Sequence, residues 1–223
     1  MTIAKALESL LSEKDLKALV GLYFQGRPER TGRRGSDFAG YLFDSLPENP
    51  PESVVASDLI AVSLLDVSFG PSATDNLLNR GCLNPYLALN ELPVGVDLWM
   101  RRDRIAKLRE AFASLDNLYK VGPTKASKLL ARKRPRLAPI TDTHVEHFYG
   151  CKGWDFLDPL AECLSESETL VRSIDDLCPV EKTPNSSPST LRLLDVAIWM
   201  TRSRARSAKD ARKKVWGRPD PLG

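Results

Sequence analysis

Apolar residues recur along this chain three and four positions apart, which is the spacing of one face of a helix. Apolar and polar residues never alternate over more than four residues, so no strand is predicted. Many helical segments joined by short links predict an all-α fold, an irregular orthogonal multi-helix bundle. Helices are predicted over residues 2–25 (as two helices), 37–46, 57–67, 72–81, 84–92, 98–115, 124–132, 156–164, 168–177 and 190–199, with 202–214 as a basic helix or frayed tail.

One of these helices is apolar on nearly every side. It follows Ser57, the predicted N-cap, and such a helix is typical of the centre of a bundle. A length of 223 residues is enough for one domain with a sizeable core. We predict a single all-α unit over residues 1–223. An alternative division makes residues 56–150 one lobe and joins residues 1–55 to residues 151–223 as the other.

Residues 117–149 combine a glycine turn, a basic helix and an aspartate. Gly122 suits a turn because glycine adopts positive φ angles, and Pro123 suits the first position of a helix. Backbone N–H groups point outward together at such a helix start, and the helix dipole adds positive charge, so a phosphate is a natural ligand. The helix places Ala126, Leu129 and Leu130 on one side and is predicted to place Lys125, Lys128 and Arg132 on the other.

Charge is distributed unevenly along the chain, although the formal net charge is only +3. Residues 120–136 contain seven basic residues and no acidic one, and residues 202–218 contain eight basic residues against Asp210 alone. Residues 155–181 carry eight carboxylates. The two cationic segments predict a surface that meets phosphates.

The glycine turn and basic helix resemble the helix-hairpin-helix of base-excision DNA glycosylases, the endonuclease III-like superfamily. The resemblance extends to Asp142-Thr143-His144-Val145, which matches the family's motif of aspartate, threonine, histidine and a hydrophobic residue. Twenty residues separate Gly122 from Asp142, and this interval is typical of the family. The resemblance covers about a fifth of the chain and, more loosely, residues 56–150.

The resemblance implies different roles for the hairpin and for Asp142. The hairpin grips the DNA strand while a base leaves the stack, and the carboxylate of Asp142 stabilises the positive charge that develops on the sugar or activates a water. Asp142 also suits the N-cap of a helix that begins at Thr143, and the two roles are compatible. We expect Asp142 to be catalytic and the following residues to bind DNA: Lys120, Gly122, Thr124, Lys125 and Lys128.

A side chain that enters the DNA stack is also implied by the resemblance. In the family it comes from the link between the two helices that open the core. Residues 66–71 occupy that link here, and Phe69 is its only large side chain. Phe69 is therefore a candidate wedge, with a buried core position as the alternative.

Three departures from the family pattern limit the chemistry. Bifunctional members carry a nucleophilic lysine two residues after the hairpin glycine, but this chain has Thr124 there. The first hairpin glycine is replaced by Lys120, and His147 stands where the family often has arginine. We therefore expect a monofunctional glycosylase that uses water as its nucleophile.

No cofactor or metal is expected. The cysteines are widely spaced without a C-x-x-C pair, and they do not form the closely spaced quartet that binds an iron–sulfur cluster in some relatives. His144 and His147 lack a third ligand nearby in sequence. No run of eighteen apolar residues and no signal-peptide core is present, so a cytoplasmic protein without membrane contact is expected.

Three functions remain open from the sequence. The first is a monofunctional glycosylase that excises a damaged or modified base. The second is a non-catalytic helix-hairpin-helix protein that only holds DNA. The third is a structural or protein-interaction bundle with solvated basic faces. For the first two, we expect a monomer whose partner is double-stranded DNA.

Overall fold

The computed structural model of the chain describes residues 2–24, 40, 42–47, 49–79, 83–179 and 187–217. All regular elements in these residues are helical, so the all-α prediction is confirmed for this part of the chain. Short 3₁₀ helices at Leu98–Met100 and Arg102–Arg104 accompany the α-helices. The α-helices are α1 (Ile3–Leu11), α2 (Leu16–Phe24), α3 (Leu42–Ser45), α4 (Ala56–Ser63), α5 (Pro71–Leu78), α6 (Leu83–Asn90), α7 (Ile105–Asp116), α8 (Gly122–Lys133), α9 (Thr143–Tyr149), α10 (Leu157–Glu166), α11 (Glu168–Asp175), α12 (Thr190–Arg202) and α13 (Arg206–Trp216).

Some helix boundaries in the structure differ from those that the apolar pattern predicted. The predicted helix over residues 98–115 begins as two 3₁₀ turns, and the α-helix starts only at Ile105. The start of the helix predicted over residues 37–46 lies outside the described residues, and α3 covers its end. Of the basic residues 202–214, Arg202 ends α12 and residues 206–214 lie in a separate helix, α13, which is followed by Gly217 in the left-handed conformation.

The central helix of the described bundle is α12. Eleven of its thirteen residues are buried, and it packs against α2, α9, α11 and α13. The prediction that the helix after Ser57 lies in the centre is wrong, because Ile60 on α4 remains 58% exposed. Ser57 is also not its N-cap; the helix follows Val55, whose backbone N–H donates to the carboxylate of Asp58 at 2.8 Å.

Helix α8 lies between α7 and α4 and is enclosed on nearly all sides. Its apolar residues Leu129 and Leu130 are fully buried, as the spacing predicted. The prediction that Lys128 and Arg132 face outward is wrong, because both are buried. The sequence pattern alone does not indicate whether a lysine or arginine side chain will be solvated or will donate hydrogen bonds to protein oxygen atoms.

The basic residues at the end of α8 hold the segment between α3 and α4. Asp58 is fully buried and forms ion pairs with Lys133 and, at 3.4 Å, with Nε of Arg132. Arg132 also donates to the carbonyl oxygen of Phe43 at 2.6 Å, and Arg134 donates to that of Pro51 at 2.9 Å. Much of the cationic segment 120–136 therefore serves the fold and not a phosphate-facing surface.

None of the helices in the described ranges is both long enough and apolar enough to cross a membrane.

Candidate functional site

The turn between α7 and α8 has the backbone that the sequence predicted. Gly122 has a φ of +74°, and Pro123 follows it within the first turn of α8. A Cβ at Gly122 would meet no atom within 4 Å, so the glycine is required by its backbone angle and not by crowding. Lys120 also adopts a positive φ, of +66°, which tightens the turn further.

Two lysines and two aromatic residues surround this turn. Lys120 and Tyr119 are exposed, and the Lys120 amine lies 5.2 Å from the centre of the Tyr119 ring. Lys125 is half-buried; its amine donates to the carbonyl oxygen of Lys120 at 2.8 Å and lies 5.6 Å from the centre of the Phe69 ring. Thr124 is half-buried beside it. Phe69 packs against the core while staying partly exposed next to the turn.

One turn further along α8, Lys128 points inward. Its amine donates to the carbonyl oxygen of Leu65 at 2.6 Å, and only 6% of the residue is exposed. Lys125 and Lys128 thus contact the same loop, the first at its surface near Phe69 and the second beneath it. This loop therefore contacts both the surface turn at Gly122, through Lys125, and the buried part of α8, through Lys128.

Asp142 is fixed to α8 by the residue before it. The hydroxyl of Ser127 accepts from the backbone N–H of Thr141 at 3.2 Å and lies 3.1 Å from the carbonyl oxygen of the same residue. Asp142 then caps α9, because its Oδ1 accepts from the N–H groups of His144 at 2.9 Å and Val145 at 3.0 Å. No described residue donates to Oδ2 of Asp142, and this oxygen is not fully buried.

A cavity of about 150 Å³ opens beside Asp142. It lies where α2, α8, α12 and the turn before α9 meet the residues that follow α4. Apolar groups form much of its wall, and charged groups are gathered in the rest. The lining residues are Tyr23, Gly40, Leu64, Leu65, Asp66, Lys128, Ile140, Asp142, Arg192, Asp195, Val196, Trp199 and Ser207.

Arg192 organises the buried side of the cavity. Its Nε donates to Asp44 at 2.9 Å, one NH2 group donates to the hydroxyl of Tyr23 at 2.8 Å, and the other NH2 group pairs with Oδ2 of Asp195. Its guanidinium also lies 4.9 Å from the centre of the Phe43 ring. Burial raises the pKa of Tyr23 to about 12, although the charge of Arg192 acts against this rise.

Asp195 is the buried carboxylate of the cavity. It is 9% exposed, and burial raises its pKa to about 6; Arg192 and Lys128 oppose this rise, and the charge of Asp142 adds to it. Oδ1 receives no hydrogen bond from any described residue. Because Oδ1 is not among the fully buried atoms that lack a partner, it keeps some solvent exposure, and Asp195 is one of the residues that line the cavity.

The Lys128 amine shares this environment. Burial lowers its pKa, and the carboxylates of Asp142, Asp195 and Asp66 act in the opposite direction. Three carboxylates therefore face two cationic groups across the cavity wall. Asp44 also pairs with Arg192, so among the described residues of the site the carboxylates outnumber the cationic side chains.

Of three further aromatic residues, one lines the cavity and two lie elsewhere. Trp199 lines the cavity, with its ring centre 6.1 Å from that of Tyr23. Trp154 is buried against Phe112, and Tyr149 stacks on Phe156. Within the described ranges, no three metal-binding side chains come together, so His144 and His147 belong to no such group.

The matched part of the chain runs from the first residue of α2 to the last residue of α12. Residues 16–202 match the model of a family described as a family of unknown function, DUF6308. The chain belongs to this family. The family match includes every cavity residue except Ser207. No curated protein and no solved structure gives a significant match to the chain.

Among the residues that line the cavity, the sequence predicted site roles for Asp142 and Lys128 but not for Tyr23, Arg192 or Asp195. Asp195 carried a signal, because a carboxylate among the apolar residues of α12 needs a charged or hydrogen-bonding partner. Its spacing of three from Arg192 indicates that partner on the same helix. Nothing local in the sequence brings Tyr23, Lys128 and Asp195 together, since they come from three distant helices.

Proposed function

We propose that this protein is a DNA-binding protein of the helix-hairpin-helix glycosylase type that excises a damaged or modified base with an activated water. The observation that supports the proposal is that Asp142, whose Oδ2 receives no hydrogen bond from a described residue, lines a cavity together with Lys128 of the helix that begins at Gly122. A carboxylate in this position stabilises positive charge that develops at C1′ of the sugar. The neighbouring turn offers N–H groups to a phosphate of the same strand.

The cavity suits a single flat ring. A cavity of about 150 Å³ accommodates benzene in another protein, and the cavity beside Asp142 has about that volume. Trp199 and Tyr23 supply aromatic surface, which extruded bases use for stacking. The excess of negative charge favours a transition state in which the sugar becomes cationic.

Water is the proposed nucleophile because no lysine occupies position 124. The Lys128 residue lines the cavity, but its amine donates to the carbonyl oxygen of Leu65. Burial lowers the pKa of this amine, and the carboxylates around it act in the opposite direction. The position of the family's nucleophilic lysine is held by Thr124. We therefore expect that borohydride reduction during the reaction gives no covalent protein–DNA adduct. Detection of an adduct would show that Lys128, and not water, is the nucleophile.

Exposed or half-buried cationic side chains lie on two of the elements that contribute residues to the cavity. Lys120 and Lys125 lie at the turn that opens α8, and the exposed Arg206 precedes Ser207, which lines the cavity from α13. Extrusion of a base requires contacts to the strand on both sides of the gap. Arg206 extends the proposed DNA contacts to the C-terminal basic helix.

A lesion panel tests the catalytic proposal. Duplexes that each carry one modified base are incubated with the protein, treated with alkali and examined for strand breaks at the lesion. The Asp142→Asn variant is the matched control, because asparagine caps a helix as well as aspartate does but lacks the carboxylate charge. We expect breaks with the wild type on at least one duplex, and loss of these breaks in the variant with unchanged DNA affinity.

A second probe does not depend on which base is removed. A duplex with a cationic pyrrolidine in place of one nucleotide mimics the charged sugar, and a neutral tetrahydrofuran duplex is its control. The wild type should bind the pyrrolidine duplex more tightly, and Asp142→Asn should bind both duplexes equally. Tight DNA binding without this preference, and without strand breaks, supports the non-catalytic DNA-binding alternative. DNA binding that does not weaken as the salt concentration rises would exclude phosphate contacts. That result would support the third alternative, a structural or protein-interaction bundle.

A further inference from the structure

Two of the three carboxylates that line the cavity, Asp142 and Asp195, are held differently. Asp142 caps α9, where its Oδ1 accepts from two backbone N–H groups. Asp195 lies in the interior of α12, where burial disfavours its charge. When neighbouring environments separate two carboxyl groups in this way, one serves as an acid and the other as a base.

The groups around Asp195 act on its pKa in both directions. Arg192 on its own helix attracts its charge but is shared with Asp44 from α3. Lys128 from α8 also attracts it, whereas Asp142 at the start of α9 repels it. Around the same cavity, Tyr23 comes from α2, Asp66 from the residues after α4, and the uncharged Ser207 from α13. One proton on Asp195 reduces the excess of negative charge in this set.

Oδ1 of Asp195 is the atom from which this proton can leave. Oδ2 is engaged by Arg192, whereas no described residue donates to Oδ1, which keeps some solvent exposure. Asp195 is 9% exposed and lines the cavity proposed for the extruded base.

We propose that Asp195 is the general acid of this site and gives its proton to the base as the base departs. The inference rests on the proposed glycosylase function. As the C1′–N bond breaks, its electron pair moves to the base nitrogen, which takes the proton from Oδ1 of Asp195. The oxygen of water forms the new bond to C1′, and Asp142 accepts the proton of this water. A proton passes from Asp142 to solvent and from solvent to Asp195 to complete the cycle.

The test measures single-turnover base release against pH, on the duplex of the lesion panel that the wild type cleaves best. The wild-type rate should fall as pH rises through about 6, where Asp195 loses its proton. Asp195→Asn should be slower by at least about 100-fold at low pH and should lose this fall. Its affinity for undamaged duplex should match that of the wild type, because Asp195 lies inside the protein.

Asp44→Asn is the matched variant, since Asp44 pairs with Arg192 but does not line the cavity. Without Asp44, Arg192 attracts the charge of Asp195 more strongly, so the fall in rate should move to lower pH while the plateau is kept. This variant also tests the inference if Asp195→Asn does not fold. If the fall in rate of Asp44→Asn stays at the wild-type pH, or if Asp195→Asn keeps the wild-type rate and pH profile, this inference is wrong while the proposed function stands. A wild type that releases no base from any duplex overturns the proposed function and the inference with it.

Discussion

The buried carboxyl of Asp195 should leave a measurable mark on stability, whatever the cavity binds. Burial raises its folded pKa from 3.8 to about 6, a difference of about two units. Each unit corresponds to about 1.4 kcal/mol, so the charged form costs the folded state about 3 kcal/mol. The neutral form carries no such cost, and Asp195→Asn keeps a neutral side chain of the same shape at every pH.

The sign follows from proton binding. Below the unfolded pKa, Asp195 is protonated in both states and its favourable contribution is fully present. Between about pH 4 and 6 the folded state binds more protons than the unfolded state, so this contribution is lost as pH rises through the folded pKa. The unfolding free energy of Asp195→Asn minus that of the wild type should therefore rise by about 3 kcal/mol between about pH 4 and pH 7.

Urea denaturation at several pH values measures this difference directly. Glu166→Gln is a suitable control, because it removes one exposed carboxylate and changes the net charge equally. Taking differences cancels the titration of the other carboxylates, and a constant offset from the altered Arg192 contact does not affect the slope. A difference that stays constant across this range, or that falls with rising pH, refutes the assignment of the proton to Asp195.

Three further predictions test the framework around the site. Asp58→Ala leaves Arg132 and Lys133 buried without a counter-charge and should lower the unfolding free energy by about 3–5 kcal/mol, measured in urea beside Glu166→Gln. Ser127→Ala removes the link to Thr141 and should lower it by about 1–3 kcal/mol, whereas the exposed Ser165→Ala should have little effect. Lys125→Ala should reduce the slope of log affinity for DNA against log salt by about 0.9, and Lys107→Ala, whose amine is paired with Glu91 and Glu110, should not. An unchanged salt slope for Lys125→Ala would show that Lys125 does not contact a DNA phosphate.

The local features of the site could be predicted from the sequence because they depend on neighbouring residues. Gly122 and Pro123 specify a turn and a helix start by their own backbone preferences, and Asp142 caps the helix that follows it. Leu129 and Leu130 are buried as their spacing required. These predictions needed only the residues within one or two helical turns.

The surroundings of the basic residues could not be predicted in this way. Lys128 and Arg132 occupy the side of α8 that the apolar pattern leaves polar, and a polar side is usually solvated. Here that side meets the carbonyl oxygens of Leu65, Phe43 and Leu46, which come from segments far away in sequence. The position of Asp195 opposite Asp142 likewise depends on how α12 packs against α9.

The double use of Asp142 has an evolutionary consequence for the family. The cap at the start of α9 is satisfied by aspartate, asparagine, serine or threonine, since each offers an oxygen to the backbone N–H groups of His144 and Val145. Only aspartate also presents a second, negatively charged oxygen to the cavity. Under the proposed function, a lineage without catalysis could change among these four residues without loss of the cap, whereas a lineage that excises bases would keep aspartate. The proposal therefore predicts that the residue at this one position separates active members of the family from inactive ones.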